Sequence, residues 1–233
     1  MIKFLSALLF IASISLAEEP ANTQAVPTYT PPETKYLTTA QVTVDVLMVS
    51  VPEDEALKLI PILRDPKTIE TGRKSLLDLV ASKRAILLDW PELTTHDRVQ
   101  GVSESILEKR YQVPPETPGE AAARKLVVDG GLVEPTGVEV KNVGVSLQVD
   151  PAISPDGKSV TLSIMPQRVE YLGLEKTENP KTASQPIFAT KKVTSTITLR
   201  DGEHRLIFTG KSESPGSGID FFILGVRIIP AEK

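Results

Sequence analysis

The chain has no cysteine. That excludes a disulfide framework, thiol catalysis and every thiolate-based metal site. Stability must come from an apolar core. Histidine is nearly as scarce, with only His96 and His204. Neither lies near the other, and there is no H-E-x-x-H pair, no G-x-S-x-G elbow and no glycine-rich phosphate loop. Aromatic residues make up 5% of the chain, and Phe221-Phe222 is the one adjacent aromatic pair. A membrane barrel would call for aromatic girdles and strands of roughly ten residues with an apolar outer face. There is no basic excess either. Against 30 Asp and Glu stand 26 Lys and Arg, a formal charge of −4, which gives nucleic acid no electrostatic footing.

What is present begins with an export signal. Lys3 supplies a positive start, Phe4 to Leu16 is an apolar run too short to span a membrane as a helix, and Ser15-Leu16-Ala17 has the small-x-small form of a peptidase site. Residues 1–17 are expected to be removed after Ala17. No cysteine follows, so the lipoprotein route is closed. Residues 18–38 hold Pro20, Pro27, Pro31 and Pro32 with no apolar period, the pattern of an extended leader.

An α+β segment is expected over 39–111. Gln41 to Val51 alternates and then turns apolar on both faces, a strand entering a core. Pro52 and the carboxylates Glu53, Asp54 and Glu55 open a helix whose N-terminal dipole favours negative charge. Pro61 should kink or shorten it. Asp65-Pro66 reads as a cap and first position of a second helix, with Ile69, Leu76, Leu77 and Val80 on its buried face. Ala85 to Trp90 predicts a buried strand, Glu92 to Arg98 a turn, and Val99 to Tyr111 a charged edge strand. The Pro- and Gly-rich stretch 112–136 is a linker or loop, with a short helix over Glu120 to Val128.

Residues 137–233 predict a β-meander. Val143, Val145, Leu147 and Val149 share one face, and Asp156-Gly157 turns into a second strand carrying Val160, Leu162 and Ile164. A polar loop spans Gly173 to Ser184. A long alternating run, Ile187 to Leu199, sets Thr190, Thr194, Thr196 and Thr198 against an apolar face that Lys191 interrupts. Asp201-Gly202 turns it into His204 to Thr209, and a loop from Lys211 to Gly218 leads to Ile219 to Ile229, which is apolar on both faces as a central strand requires. The fold class is therefore α+β, mostly β, with an antiparallel meander preceded by a strand–helix–helix–strand segment.

The order of these features carries a resemblance. Val143-Gly144-Val145-Ser146-Leu147-Gln148-Val149-Asp150-Pro151, then Asp156-Gly157, then Gln185-Pro186-Ile187-Phe188, then Asp201-Gly202-Glu203 resembles the C-terminal homology domain of the secretins. Those are the ring-forming outer-membrane components of type II and III secretion systems and type IV pili. Gly144, Pro151, Asp156, Gly157, Pro186, Asp201 and Gly202 occupy the family's motif positions. More loosely, Ala85, Leu87, Pro91, Leu93, Thr94, Gln100, Val102 and Tyr111 follow the family's preceding stretch. The chain departs from the family where full secretins carry a "VP-LGDIP-LG-LF"-like motif, since Lys211 to Gly218 stands there. The repeated periplasmic domains are not expected in the 120 or so preceding residues either, so a soluble or membrane-associated domain is favoured over a pore.

No catalytic constellation emerges. His96 and Asp97 are adjacent, and strand neighbours point to opposite faces, so both histidines read as solvent-facing turn residues. Asp150, Asp156 and Gly157 do not fit a calcium loop, because Pro151 and Pro155 interrupt the required spacing. Trp90 reads as core. No enzyme activity, cofactor, metal, nucleic acid or small-molecule substrate is expected. The resemblance implies an exported structural protein, periplasmic or associated with the outer membrane of a Gram-negative-type cell. It would pair strands with its own copies as a homo-oligomer, or with secretion or pilus apparatus proteins. The other reading is a monomeric periplasmic interaction module that keeps the fold without forming a pore.

Overall fold

The computed structural model describes residues 40–113, 126–128, 131–133, 137–175, 185–213 and 218–230. The expected signal peptide with its Ala17 junction, the leader 18–38, and residues 176–184 and 214–217 lie outside them, as does most of the 112–136 segment.

Strand β1 (Gln41–Pro52) leads into helices α1 (Glu53–Arg64) and α2 (Ile69–Ala81). Short strands β2 (Ile86–Asp89) and β3 (Glu92–His96) precede β4 (Gly101–Val113), a small hairpin of β5 (Leu126–Val128) and β6 (Gly131–Val133), and the long β7 (Gly137–Ile153) and β8 (Ser159–Leu174). The chain ends in β9 (Pro186–Lys192), β10 (Ser195–Arg200), β11 (His204–Lys211) and β12 (Gly218–Ile229). All pairings are antiparallel.

Two sheets stack. The first runs β11-β12-β1, with β2 and β3 placed end to end along the far side of β1; the second runs β10-β8-β7-β4, with β9 beyond β10 along β8. Helices α1 and α2 cover the outer face of the first sheet, giving three layers. The two-residue period of a strand sorts β1 accordingly. Val42, Val44, Val46 and Met48 meet Val145, Leu147, Val149, Leu162 and Ile164 between the sheets, whereas Leu47, Val49 and Val51 meet Leu59, Leu63 and Leu76 of the helices. Phe222 and Phe221 divide between the same two cores. Thus the double-faced apolar runs at both chain ends become neighbouring central strands, paired from Gln41–Ile229 to Pro52–Gly218. The C-terminal meander holds through β7, β8 and β9/β10, then crosses to the other sheet at Asp201-Gly202.

Helix α1 has its three acidic residues in the first turn, as the dipole favours, but it runs through Pro61 to Arg64. Asp65 accepts from the Lys67 amide at 2.9 Å and so shapes the turn into α2, which begins at Ile69 rather than at Pro66. Several local expectations are corrected. Ile86 and Leu87 are exposed, because β2 is four residues long and sits at a sheet edge. Glu92–His96 is strand rather than turn, zipped to β1 with a Thr43–Thr94 hydroxyl bond of 2.9 Å; the turn is Asp97-Arg98. Leu126–Val128 is strand β5, in keeping with its two valines, rather than helix. The run from Ile187 to Leu199 is broken at Val193-Thr194, where the Val193 amide donates to the Pro166 carbonyl at 3.0 Å. Trp90 is 44% exposed, its indole N–H donating to Asp45 Oδ2 at 2.7 Å.

The charge that interrupts the apolar face of β9 has its answer across the core. Lys191 forms an ion pair with Asp220 of β12, the two side chains 11% and 1% exposed, joining the two sheets at the end opposite the Asp201 turn. Removing one member strands the other in a low-dielectric interior. Lys191→Ala or Asp220→Ala is expected to cost about 3–5 kcal/mol in urea unfolding, and Lys191→Met with Asp220→Leu less than either single change. Equal costs for all three variants would contradict this coupling.

Candidate functional site

The sheet edges and the turns joining the sheets are the features with most to offer. Near the Asp97 and Asp201 turns, two aspartates tie the sheets together. Asp97, whose side chain is 4% exposed, accepts the Ile153 amide at 2.7 Å with Oδ1, while its own amide donates to Ala40 at 3.1 Å. Asp201 accepts the Ile228 amide at 2.7 Å with Oδ1, and its amide donates to Lys158 at 3.1 Å. Each sits where the chain passes between sheets, β3 to β4 and β10 to β11. Asp97 is thereby committed to structure and is not a partner for His96, which is exposed.

Gly202 adopts φ 73° and donates to the Val226 carbonyl at 3.0 Å. Asp156 and Gly157 (φ 69°) make the β7–β8 turn; Asp156 Oδ1 takes the Ser154 hydroxyl at 2.5 Å and the Lys158 amide at 3.1 Å, and these bonds, the Ser154 one foremost, hold its carboxyl below the usual range. Pro151 is buried and offers its carbonyl to the Arg98 amide at 2.8 Å. Pro186 opens β9 opposite Leu174, an edge position that suits a residue with no amide to donate.

Gly144 is a branch point. From Gly144 to Val149, β7 pairs with both β4 and β8; after Val149 it pairs with β8 alone, and before Gly144 with β4 alone. Beyond this point two hairpins continue, β4–β7 and β8–β9. Tyr111 of the first packs on Phe188 of the second, centroids 5.7 Å apart, and Lys109 Nζ lies 3.4 Å over the Tyr171 ring. Gly144 has φ 131°, and a Cβ there would fall 2.1 Å from the Ser105 carbonyl oxygen. Exposed Ile106, Leu107, Val138 and Val140 line the first hairpin.

His204 corrects the expectation of a solvent-facing turn. It opens β11, its side chain is 21% exposed, and its Nδ1 lies 3.1 Å from Glu70 of α2. Burial, aided by the Arg73 guanidinium, pulls the imidazole below its ordinary 6.5 against the opposing influence of Glu70 and Asp45. The contact is that of a neutral imidazole N–H donating to a carboxylate. Glu70 is held low chiefly by its hydrogen bonds from Arg73. Among the described residues no cluster of His, Asp and Glu could hold a metal, and no helix is long and apolar enough to cross a membrane.

The sequence matches the family model of the secretins, described as bacterial type II and III secretion system proteins, over residues 79–210. No curated protein matches the chain. Among solved structures it is similar to InvG, the secretin of the Salmonella SPI-1 type III secretion injectisome, at 12% identity and a TM-score of 0.44, covering 84% of this chain and 66% of that one. It is also similar to XcpQ, the type II secretin of Pseudomonas aeruginosa, at 16% identity and a TM-score of 0.43, covering 83% and 60%. Aeromonas hydrophila ExeD aligns at 14% identity with a TM-score of 0.41, covering 82% and 48%. The chain thus spans less than two thirds of each of these proteins.

Two predictions arise from this geometry. Gly144→Ala combines a disfavoured backbone angle with backbone overlap and should cost about 1–3 kcal/mol or more, with amide exchange rising in β4. Gly157→Ala, with open space around its Cβ, should cost only the backbone penalty of about 1–2 kcal/mol. The second prediction concerns pH. The unfolded chain binds a proton at His204 more readily than the folded one does, so stability should fall as pH drops through 6.5. Glu70, lowered from 4.5, withdraws its contribution only below that value. Chemical denaturation between pH 7.5 and 5.5 should show a flatter profile for His204→Gln; an unchanged profile would remove His204 as its source.

Proposed function

The chain belongs to the secretin family of bacterial type II and III secretion system proteins, and we propose that it is an exported structural component of, or accessory to, a protein secretion or pilus apparatus. It acts by strand-mediated assembly rather than catalysis. One observation carries the reading. Each sheet is four strands wide, counting β2 with β3 and β9 with β10 as single edges, and antiparallel throughout, so its two edges run in opposite directions. Setting one edge against the opposite edge of a second copy is then antiparallel again.

The two sheets present these edges together. β3 continues into β4 on one flank, and β10 into β11 on the other, so a neighbour meets complementary edges in both sheets at once. Such head-to-tail contact satisfies edge donors and acceptors and closes a ring wherever its rotation closes. The row Glu104–Ser146–Gln167–Lys192 across the second sheet also ends in opposite charges.

Residues 18–233 should therefore run in light scattering, with or without mild detergent, at a mass many times that of one chain. A monomer of about 23–24 kDa in both conditions would sink self-assembly and leave the monomeric interaction module. The absence of native cysteine permits a sharper readout. Glu104→Cys and Lys192→Cys sit three strand spacings apart within one copy, about 14 Å, beyond disulfide reach. A ladder of linked species on oxidation, scanned with Thr190→Cys and Thr194→Cys as alternative registers, is expected; monomer alone in every register would count against edge pairing.

A further inference from the structure

At the end of the sandwich where the β7–β8 and β10–β11 turns lie, an open groove of about 740 Å³ is walled by three separate parts of the chain. The inter-helix turn contributes Lys67, the start of β8 contributes Ser159, and the β10–β11 crossing contributes Thr198, Arg200, Glu203 and Arg205. Its two carboxylates are already engaged. Asp201 Oδ1 takes the Ile228 amide at 2.7 Å; Glu203 takes the Arg200 amide at 3.0 Å and Arg205 Nη2 at 2.5 Å. Among the described residues, no carboxylate lies within ion-pair distance of the exposed Lys67 ammonium or the Arg200 guanidinium. Arg205 adds a third cation to the wall, its buried Nε–H without an acceptor and its Nη2 on Glu203.

The geometry points to this groove as a binding site for a phosphate group, free or carried on a lipid headgroup. A guanidinium is a planar fork matched to phosphate oxygens, and an ammonium adds a point charge. The groove forms within one copy, so the inference stands or falls independently of assembly.

The probe is inorganic phosphate, exchanged for chloride at constant ionic strength and followed by the amide spectrum of the purified protein. Saturable shifts are expected around Arg200 and Gly202. Lys67→Gln with Arg200→Gln should weaken the binding at least about tenfold, since each loses a charge-assisted contact. Both side chains are exposed, so folding is spared, and an unchanged melting temperature verifies it. Lys74→Gln with Lys211→Gln removes the same net charge elsewhere and should leave binding intact. Phosphatidylglycerol vesicles, compared with phosphatidylcholine vesicles, then identify the source. Retention lost in the Lys67/Arg200 variant assigns a headgroup, and no retention alongside intact phosphate binding assigns the free ion. Shifts that do not saturate, or that the Lys67/Arg200 variant reproduces, overturn the site.

Discussion

Everything in this molecule depends on β1 being buried on both faces. A strand with helices on one side and a second sheet on the other can expose neither set of side chains. Its sequence must therefore be apolar at most positions, and Val42 to Val51 meets that demand with Thr43, Asp45 and Ser50 as its polar exceptions. The same constraint falls on β12, its partner over twelve residue pairs. Each of the phenylalanines Phe221 and Phe222 is fully buried, in different cores. Burial of one such side chain is worth about 1.5–3 kcal/mol, so this strand pair anchors both interiors at once.

Polar groups then fix how the layers sit. Apolar packing is non-directional and would tolerate some sliding of one sheet over the other. Lys191–Asp220 near one end, and Asp97 and Asp201 near the other, are directional and satisfiable in one arrangement only. The two aspartates use the same device: a carboxylate oxygen caps the amide of a strand terminus in the opposite sheet just where the chain changes sheets. Asp201 was announced in the sequence by its Asp-Gly turn, whereas Asp97 had no local signal to announce it.

Periodicity made the major elements legible in the sequence. The double apolar face of β1 and β12, the alternation of β7 and β8, the acidic helix start and the Asp-Gly turns are all local signals. What escaped was tertiary. Lys191 looked like a defect because its partner lies 29 residues away on another sheet. Ile86 and Leu87 looked buried because a short apolar run does not say whether a neighbour covers it. Trp90 and His204 were misplaced for the same reason: Asp45 and Glu70, which hold them, come from elements distant in sequence. The motif glycine at 144 was visible as a position, but its need for a positive φ beside the Ser105 carbonyl is a property of three strands together.

The pairing of β1 with β12 also sets an order of events in time. A chain delivered N-terminus first, from a ribosome or through a translocation channel, has its first strand waiting while some 170 residues follow. The helices can cover one face early, since they are next in sequence. The hydrogen-bonding edge that β12 will occupy stays open until β12 itself arrives, and contacts of such long sequence separation close slowly. Completion of the first sheet is in effect a check that everything from β1 through β12 has been delivered. A truncated product would display an apolar, unpaired strand, which is the surface that chaperones and proteases act upon.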